Sequence, residues 1–140
     1  MWACPRIGKL AGHMDQPELR ELKILIVEES DVLRKRLQTA FASLTGFHVI
    51  GEAATGHEVF ELARSLRPGL IVFDPSSDAD GLDVLRELRR HDLRVLIVIF
   101  TSNYSAPMRE AYRDAGATFF VNKSRIRDLL DICEVARKCS

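Results

Sequence analysis

The chain has 140 residues, of which 46% are hydrophobic and 29% are charged, and lysine plus arginine balances aspartate plus glutamate at 20 each. These values are typical of one soluble globular domain, and the balanced charge gives no general attraction to nucleic acid or to an anionic membrane. No apolar run approaches the roughly 20 residues that span a bilayer. Its three cysteines, Cys4, Cys133 and Cys139, lack the spacing of a metal site and favour a reducing compartment. The composition therefore predicts a cytoplasmic protein without a membrane or nucleic-acid partner.

Residues 1–20 contain two prolines and two glycines and show no regular hydrophobic period. We expect them to form a poorly ordered N-terminal extension. Gly12-His13-Met14 is typical of either a cloning junction or an alternative start site. The other interpretation is an arm that binds a partner. The folded domain is predicted to span 22–138, as a protein of its own or as part of a longer regulator.

From residue 22 onward, short apolar runs alternate with segments of helical period. Strands are predicted at 23–28, 47–51, 69–74, 95–100 and 118–121. Helices are predicted at about 30–44, 55–67, 81–90, 105–115 and from 124 onward. Five strands that alternate with five helices predict an α/β domain, in which helices cover both faces of one parallel sheet.

Several residues have the chemistry of helix ends. Ser30 or Asp31 is expected to cap the first helix, and Gly46 to end it. Pro68-Gly69 is expected to close the second helix, and Gly116 to cap the fourth.

Polar groups follow four of the predicted strands. The run Gly69-Leu70-Ile71-Val72-Phe73 ends on Asp74, and the first strand leads into Glu28-Glu29. The later strands lead to Thr101 and, after Asn122, to Lys123. Because strand ends of one polarity share one edge of a parallel sheet, we expect these groups to converge.

Such a cluster suits phosphoryl transfer to an aspartate. Carboxylates that lie close together repel one another unless a cation neutralises them, and oxygen ligands favour Mg²⁺. The lysine could contact a phosphoryl group or pair with the central aspartate, and the threonine hydroxyl could bond a phosphoryl oxygen. Asp74 would then be the nucleophile.

The order and spacing of these motifs resemble the receiver domains of two-component response regulators, over about residues 22–137. The motifs that carry the resemblance are Ile26-Val27-Glu28-Glu29, Gly51-Glu52-Ala53 with Gly56, Asp74, Gly81-Leu82, Thr101, and Gly116-Ala117 with Lys123. Within the family, Lys123-Ser124 and the 49–63 segment look most like the NarL/FixJ branch.

The resemblance implies a flavodoxin-like (CheY-like) fold with strand order 2-1-3-4-5. It also implies that Asp74 accepts a phosphoryl group from a histidine kinase or a phosphotransfer protein, that Lys123 and Thr101 contact this group, and that the domain is not an enzyme in its own right. Thr101 and Phe120 would form the switch. The implied Mg²⁺ ligands are Glu28, Glu29, Asp74 and the backbone carbonyl of Ser76.

Output would leave through the surface formed by residues 105–130, towards an output protein or a second copy of the chain. We name the predicted output face by four of its residues: Arg109, Arg113, Asn122 and Arg127. Strand alternation allows only one of Phe119 and Phe120 to face the same side of the sheet as the fourth helix.

Three departures from the family pattern favour a second interpretation, a degenerate receiver that binds partners without phosphorylation. Glu29 replaces the usual aspartate, Pro75 has no backbone N–H, and the loop from Asp74 to Gly81 is short. Ser102 is a further departure, because a smaller residue is usual there. A phosphatase of the haloacid-dehalogenase kind ranks lower, because Ser76 stands where that family needs a second aspartate. A flavin-binding role ranks lower too, because no phosphate-cradling loop follows the first strand.

Overall fold

The structure is a computed structural model that describes residues 21–75, 81–91, 94–102 and 105–139. The predicted N-terminal extension and the predicted metal ligand Ser76 lie outside these ranges.

Five strands and five helices alternate along the described chain. The strands are β1 (Leu22–Val27), β2 (Phe47–Ala53), β3 (Leu70–Phe73), β4 (Leu96–Thr101) and β5 (Phe119–Asn122). The helices are α1 (Asp31–Ala42), α2 (Val59–Leu66), α3 (Gly81–Arg90), α4 (Ala106–Asp114) and α5 (Ile126–Cys139). All strand pairs are parallel, and the order β2-β1-β3-β4-β5 confirms the predicted CheY-like topology.

The central strand β3 explains why the sheet is parallel. Its four side chains, from Leu70 to Phe73, are each at most 1% exposed. A strand without a polar side must be covered on both faces, which crossover helices achieve. Each such side chain contributes roughly 1.5–3 kcal/mol when it is fully buried.

Alternate side chains of the sheet enter two separate cores. One core packs against α1 and α5 through Leu37, Phe41, Leu129 and Cys133. The other packs against α2, α3 and α4 and contains Val59, Leu85 and Tyr112. Phe119 packs with the first core and Phe120 with the second, which confirms the predicted alternation.

Most predicted boundaries are displaced by one or two residues. β1 ends at Val27, so Glu28 is the first residue beyond the strand, whereas Thr101 is the last residue within β4. The second helix begins with a 3-10 turn at Gly56–Glu58. Its C-cap is Arg67, in left-handed geometry with φ 50°, so Pro68-Gly69 follow the end of the helix and do not form its cap.

The caps of α1 and α4 bear out two predictions and correct a third. The Ser30 hydroxyl accepts a hydrogen bond from Leu33 N at 3.2 Å, so Ser30 is the N-cap of α1. Gly116 directly follows Ala115, the C-cap of α4, and has φ +115°, so it ends the helix as predicted although the C-cap itself is Ala115. Gly46 does not end α1, because the helix stops at Ala42 with Ser43 as its C-cap. It lies just before β2 with φ +94°, and a Cβ there would lie 2.8 Å from Cδ of Arg137.

Candidate functional site

Strand register brings the predicted site residues to one edge of the sheet. Val27 pairs with Phe73, so Glu28 and Asp74 leave neighbouring strands at the same level. Thr101 pairs with Asn122, and Lys123 follows. Backbone hydrogen bonds continue past the strand ends, from Asp74 N to Val27 O at 3.0 Å and from Lys123 N to Thr101 O at 3.1 Å. The sheet therefore fixes the backbone on which the site is built.

The ammonium of Lys123 lies between two buried carboxylates. Its Nζ donates to Oδ2 of Asp74 at 2.5 Å and lies 2.9 Å from Oε1 of Glu28. The side chains of Glu28 and Asp74 are each 3% exposed, whereas that of Lys123 is 21% exposed. The predicted pairing of Lys123 with the central aspartate is present, with Glu28 as a second partner.

Two opposing effects act on the pKa of Lys123. Burial of the ammonium lowers the pKa, while hydrogen bonding and charge interactions with Asp74 and then Glu28 raise it. The two carboxylates prevail, so the pKa of Lys123 lies above its ordinary value. The lysine is therefore a fixed positive charge at neutral pH.

Glu28 is held at both ends of its carboxylate. Oε2 accepts a hydrogen bond from Ser30 N at 3.0 Å, while Oε1 faces the ammonium. Beyond the Lys123 ammonium, no donor among the described residues bonds Oε1. Glu28 thus presents a buried oxygen with unused capacity to bind a cation.

Thr101 and Phe120, the two residues of the predicted switch, lie on the neighbouring strands β4 and β5. Thr101 is 2% exposed, at the end of β4. Phe120, on the neighbouring strand β5, is half-buried against α4, and the guanidinium of Arg109 lies 5.4 Å from its ring centroid. Such a distance is typical of a cation–π contact. Phe120 pairs with Ile99 of β4 and Thr101 pairs with Asn122 of β5, and the role of the two residues as a switch stays a prediction.

The donor set fits Mg²⁺ in part. Two buried carboxylates, whose oxygens already face the Lys123 ammonium, suit a hard cation that keeps several of its own waters. The side chain of Glu29, the other predicted acidic ligand, is exposed. Within the described ranges no three acidic, histidine or cysteine side chains form a cluster that could hold a metal. Glu28 and Asp74 are therefore assembled with Lys123, and the role of Glu29 stays a prediction.

Two arginines with extensive contacts were not singled out as structural from the sequence. Arg34 in α1 donates to the backbone carbonyls of Glu28 and Glu29. Arg89 in α3 donates to Gly116 O at 2.6 Å and to Val95 O at 2.8 Å, and burial lowers its pKa. One feature of the sequence pointed to Arg34. A positive charge near a helix N-terminus is unfavourable because of the helix dipole, so an arginine there suggests that nearby acceptors bind it.

Comparison with known proteins agrees with this geometry. Residues 24–134 match the family profile of the response regulator receiver domain. The chain is 28% identical over 103 residues to the response regulator GacA of Pseudomonas aeruginosa, an overlap of 73% of this chain and 48% of GacA. It is 27% identical over 122 residues to the response regulator protein VraR of Staphylococcus aureus, covering 85% of this chain and 56% of VraR.

A further relative is an enzyme. Over 106 residues the chain is 31% identical to the protein-glutamate methylesterase/protein-glutamine glutaminase of Alkalilimnicola ehrlichii, covering 74% of this chain and 27% of that protein. The chain thus spans about a quarter to about half the length of these three relatives.

Solved receiver structures share the fold. The response regulator domain of Thermotoga maritima CheB aligns with a TM-score of 0.74 at 22% identity, covering 84% of this chain and 97% of that one. A LuxR-family response regulator from Aurantimonas aligns with a TM-score of 0.74 at 23% identity, covering 84% of this chain and 87% of that one.

The comparisons bear on the families weighed from the sequence. The family match sets aside the phosphatase and flavin interpretations. The matches to GacA and VraR are consistent with the predicted closeness to the NarL/FixJ branch. None of the described helices has the length and hydropathy to cross a membrane. The family profile covers most of the chain, and the chain belongs to the family of response regulator receiver domains.

Proposed function

We propose that this domain accepts a phosphoryl group on Asp74 from a histidine kinase or phosphotransfer protein and signals by protein contact. The observation that carries the proposal is the Lys123 ammonium, 2.5 Å from a buried aspartate at the end of the central strand. Family membership supports the assignment. The domain then acts as a phosphorylated signalling module in the cytoplasm, and no nucleic acid or membrane takes part in this step.

The chemistry assigned to the side chains is limited and specific. A carboxylate oxygen of Asp74 attacks the phosphorus atom, a P–O bond forms, and the P–N bond to the donor histidine breaks, with its electron pair returning to the imidazole. Lys123 faces the negative charge that collects on the phosphoryl oxygens, and the hydroxyl of Thr101 donates to one of them. Phosphoryl transfer depends mainly on such positioning and electrostatics.

Mg²⁺ is the cofactor that this donor set favours. Glu28, Glu29 and Asp74, with the Ser76 carbonyl, would hold it, and when bound it would neutralise charge between the carboxylates and the phosphoryl group. Glu28 would supply its buried Oε1, which faces the Lys123 ammonium at 2.9 Å, and Asp74 would supply the reacting carboxylate.

The proposed signal travels from Thr101 and Lys123 to the predicted output face. Arg109, Arg113 and Arg127 are exposed, whereas Asn122 is half-buried and accepts a hydrogen bond from Ser124 N at 2.8 Å. A phosphoryl group that draws Thr101 and Lys123 inward would alter the packing of β5 and α4, including Phe120. A coupling free energy of about 1–3 kcal/mol between two sites, here the phosphorylated site and the output face, is typical of allosteric proteins. An output protein or a second copy of the chain would bind this face.

Asp74 is expected to be the only phosphorylated residue. Treatment with a small phosphodonor and Mg²⁺ should add one phosphoryl group to the intact mass of the wild type. Asp74→Asn should abolish the gain, because an amide is not a competent nucleophile. The matched control Asp83→Asn removes an exposed carboxylate of α3 and should leave the gain intact. No gain in the wild type, or a gain that persists in Asp74→Asn, would contradict the proposal.

Glu29→Asp is expected to tighten Mg²⁺ binding and to speed phosphorylation. The side chain of glutamate is one methylene longer than that of aspartate, and misplacement of a ligand by about 1 Å can cost roughly 100-fold in rate. Calorimetric Mg²⁺ titration and phosphorylation time courses would measure both effects. Glu61→Asp, an exposed position of α2, serves as the control. Equal or weaker Mg²⁺ affinity in Glu29→Asp would remove Glu29 from the ligand set.

Beryllofluoride with Mg²⁺, a mimic of the phosphoryl group, is expected to change hydrogen exchange across the described parts of 102–130. Thr101→Val keeps the shape of the side chain but removes its hydroxyl, so it should weaken the response there. Thr39→Val, on the exposed side of α1, should respond like the wild type. Changes confined to 30–67 would mean that the output face lies in the other half of the domain.

A further inference from the structure

Arg34 makes several polar contacts that an arginine on a solvent-exposed helix surface would not make. Its guanidinium donates to Glu28 O, to Glu29 O at 3.1 Å and to the carboxylate of Asp31. Its Nε lies 3.1 Å from Oε1 of Glu52 in β2, and the side chain is only 16% exposed. One residue of α1 thus joins the loop after β1 to the neighbouring strand.

The contacts with Glu28 and Glu29 are made to the backbone and not to the carboxylates. Two consecutive carbonyls are fixed, and these are the carbonyls of the acidic pair. The Glu28 carboxylate is fixed in turn by Ser30 N, one residue beyond that pair. Glu52 is itself held by Gln38 of α1 through a side-chain hydrogen bond. The network therefore holds the loop 28–30 together with the hydrogen bond from Glu28 N to Ala53 O at 2.9 Å.

We propose that Arg34 is a positioning residue for the acidic pair, which it holds in the geometry that receives a divalent cation. The inference rests on the proposed function for its consequence in metal binding, while its effect on the loop stands without a metal. Arginine suits this role because its planar fork reaches several acceptors at fixed angles, whereas lysine presents a single point charge.

A positioning role and a purely electrostatic role predict opposite signs. A positive charge near a cation site repels the cation, so its loss alone should strengthen Mg²⁺ binding. Loss of a group that orients the ligands should weaken it, and outer partners of metal ligands typically contribute roughly 10-fold or more to affinity. The direction of the change therefore identifies the role.

The test uses Arg34→Met, Arg34→Lys and the control Arg36→Met, which removes an exposed charge from the same helix. Calorimetric titration measures Mg²⁺ affinity, and metal-free NMR hydrogen exchange measures the amides of Glu28 and Ser30. We expect both Arg34 variants to bind Mg²⁺ roughly 10-fold more weakly than the wild type. In both Arg34 variants the amide hydrogens of Glu28 and Ser30 should exchange faster than in the wild type. Arg36→Met should bind Mg²⁺ as tightly as the wild type or more tightly. Thermal melting checks folding, and Arg34→Lys retains the charge if Arg34→Met fails to fold.

The outcomes separate the two proposals. If the wild type binds no Mg²⁺, the metal in the proposed function is refuted, and the exchange of Glu28 and Ser30 still decides the role of Arg34. If the amides of both variants exchange as in the wild type, Arg34 does not position the loop. Tighter Mg²⁺ binding in Arg34→Met would also overturn the inference, because it would show an effect of charge alone.

Discussion

The ion pair of Lys123 with Asp74 and Glu28 is the interaction on which the site depends. Both carboxylates are almost without contact to water, and buried charges are tolerated when a partner compensates them. Removal of one member would leave like charges facing each other or a buried charge without compensation. The same arrangement supports the proposed phosphoryl transfer, since the carboxylate proposed as nucleophile and the ammonium proposed to face the phosphoryl oxygens already lie side by side.

The sheet places this ion pair, and the surface beside α4 is where the proposed response would occur. The register of the parallel strands places Glu28, Asp74 and Lys123 at the same edge of the sheet, and two buried cores hold the strands in position. At the surface next to α4, Phe120 is only half-buried, beneath the guanidinium of Arg109. A ligand shifts a conformational equilibrium only by its different affinity for the two states. Thr101 and Lys123 are the two groups through which a phosphoryl group could exert that difference.

The parallel sheet and the convergence of Asp74, Lys123 and Thr101 at one edge were predictable, because strand period and parallel topology determine which residues end there. The strand order followed from the family resemblance and not from these patterns. Strand alternation likewise placed Phe119 and Phe120 on opposite faces. The contacts of Arg34, Arg89 and Arg137 were not predictable in this way. Each depends on backbone atoms or aromatic rings brought close by tertiary packing, such as Phe47 with its ring centroid 5.8 Å from the guanidinium of Arg137. Gly46 was assigned to a helix end for the same reason, since its actual neighbour lies in α5.

An NMR titration of the Lys123 ammonium tests the central ion pair most directly. Because the folded pKa is raised, the pair stabilises the fold fully below the unfolded pKa of about 10.4, and this contribution is lost as pH rises through the higher folded value. The account predicts that Lys123 Nζ titrates above ordinary lysines in the wild type and closer to them in Asp74→Asn. A midpoint at or below that of ordinary lysines in the wild type, or one unchanged by Asp74→Asn, would contradict it.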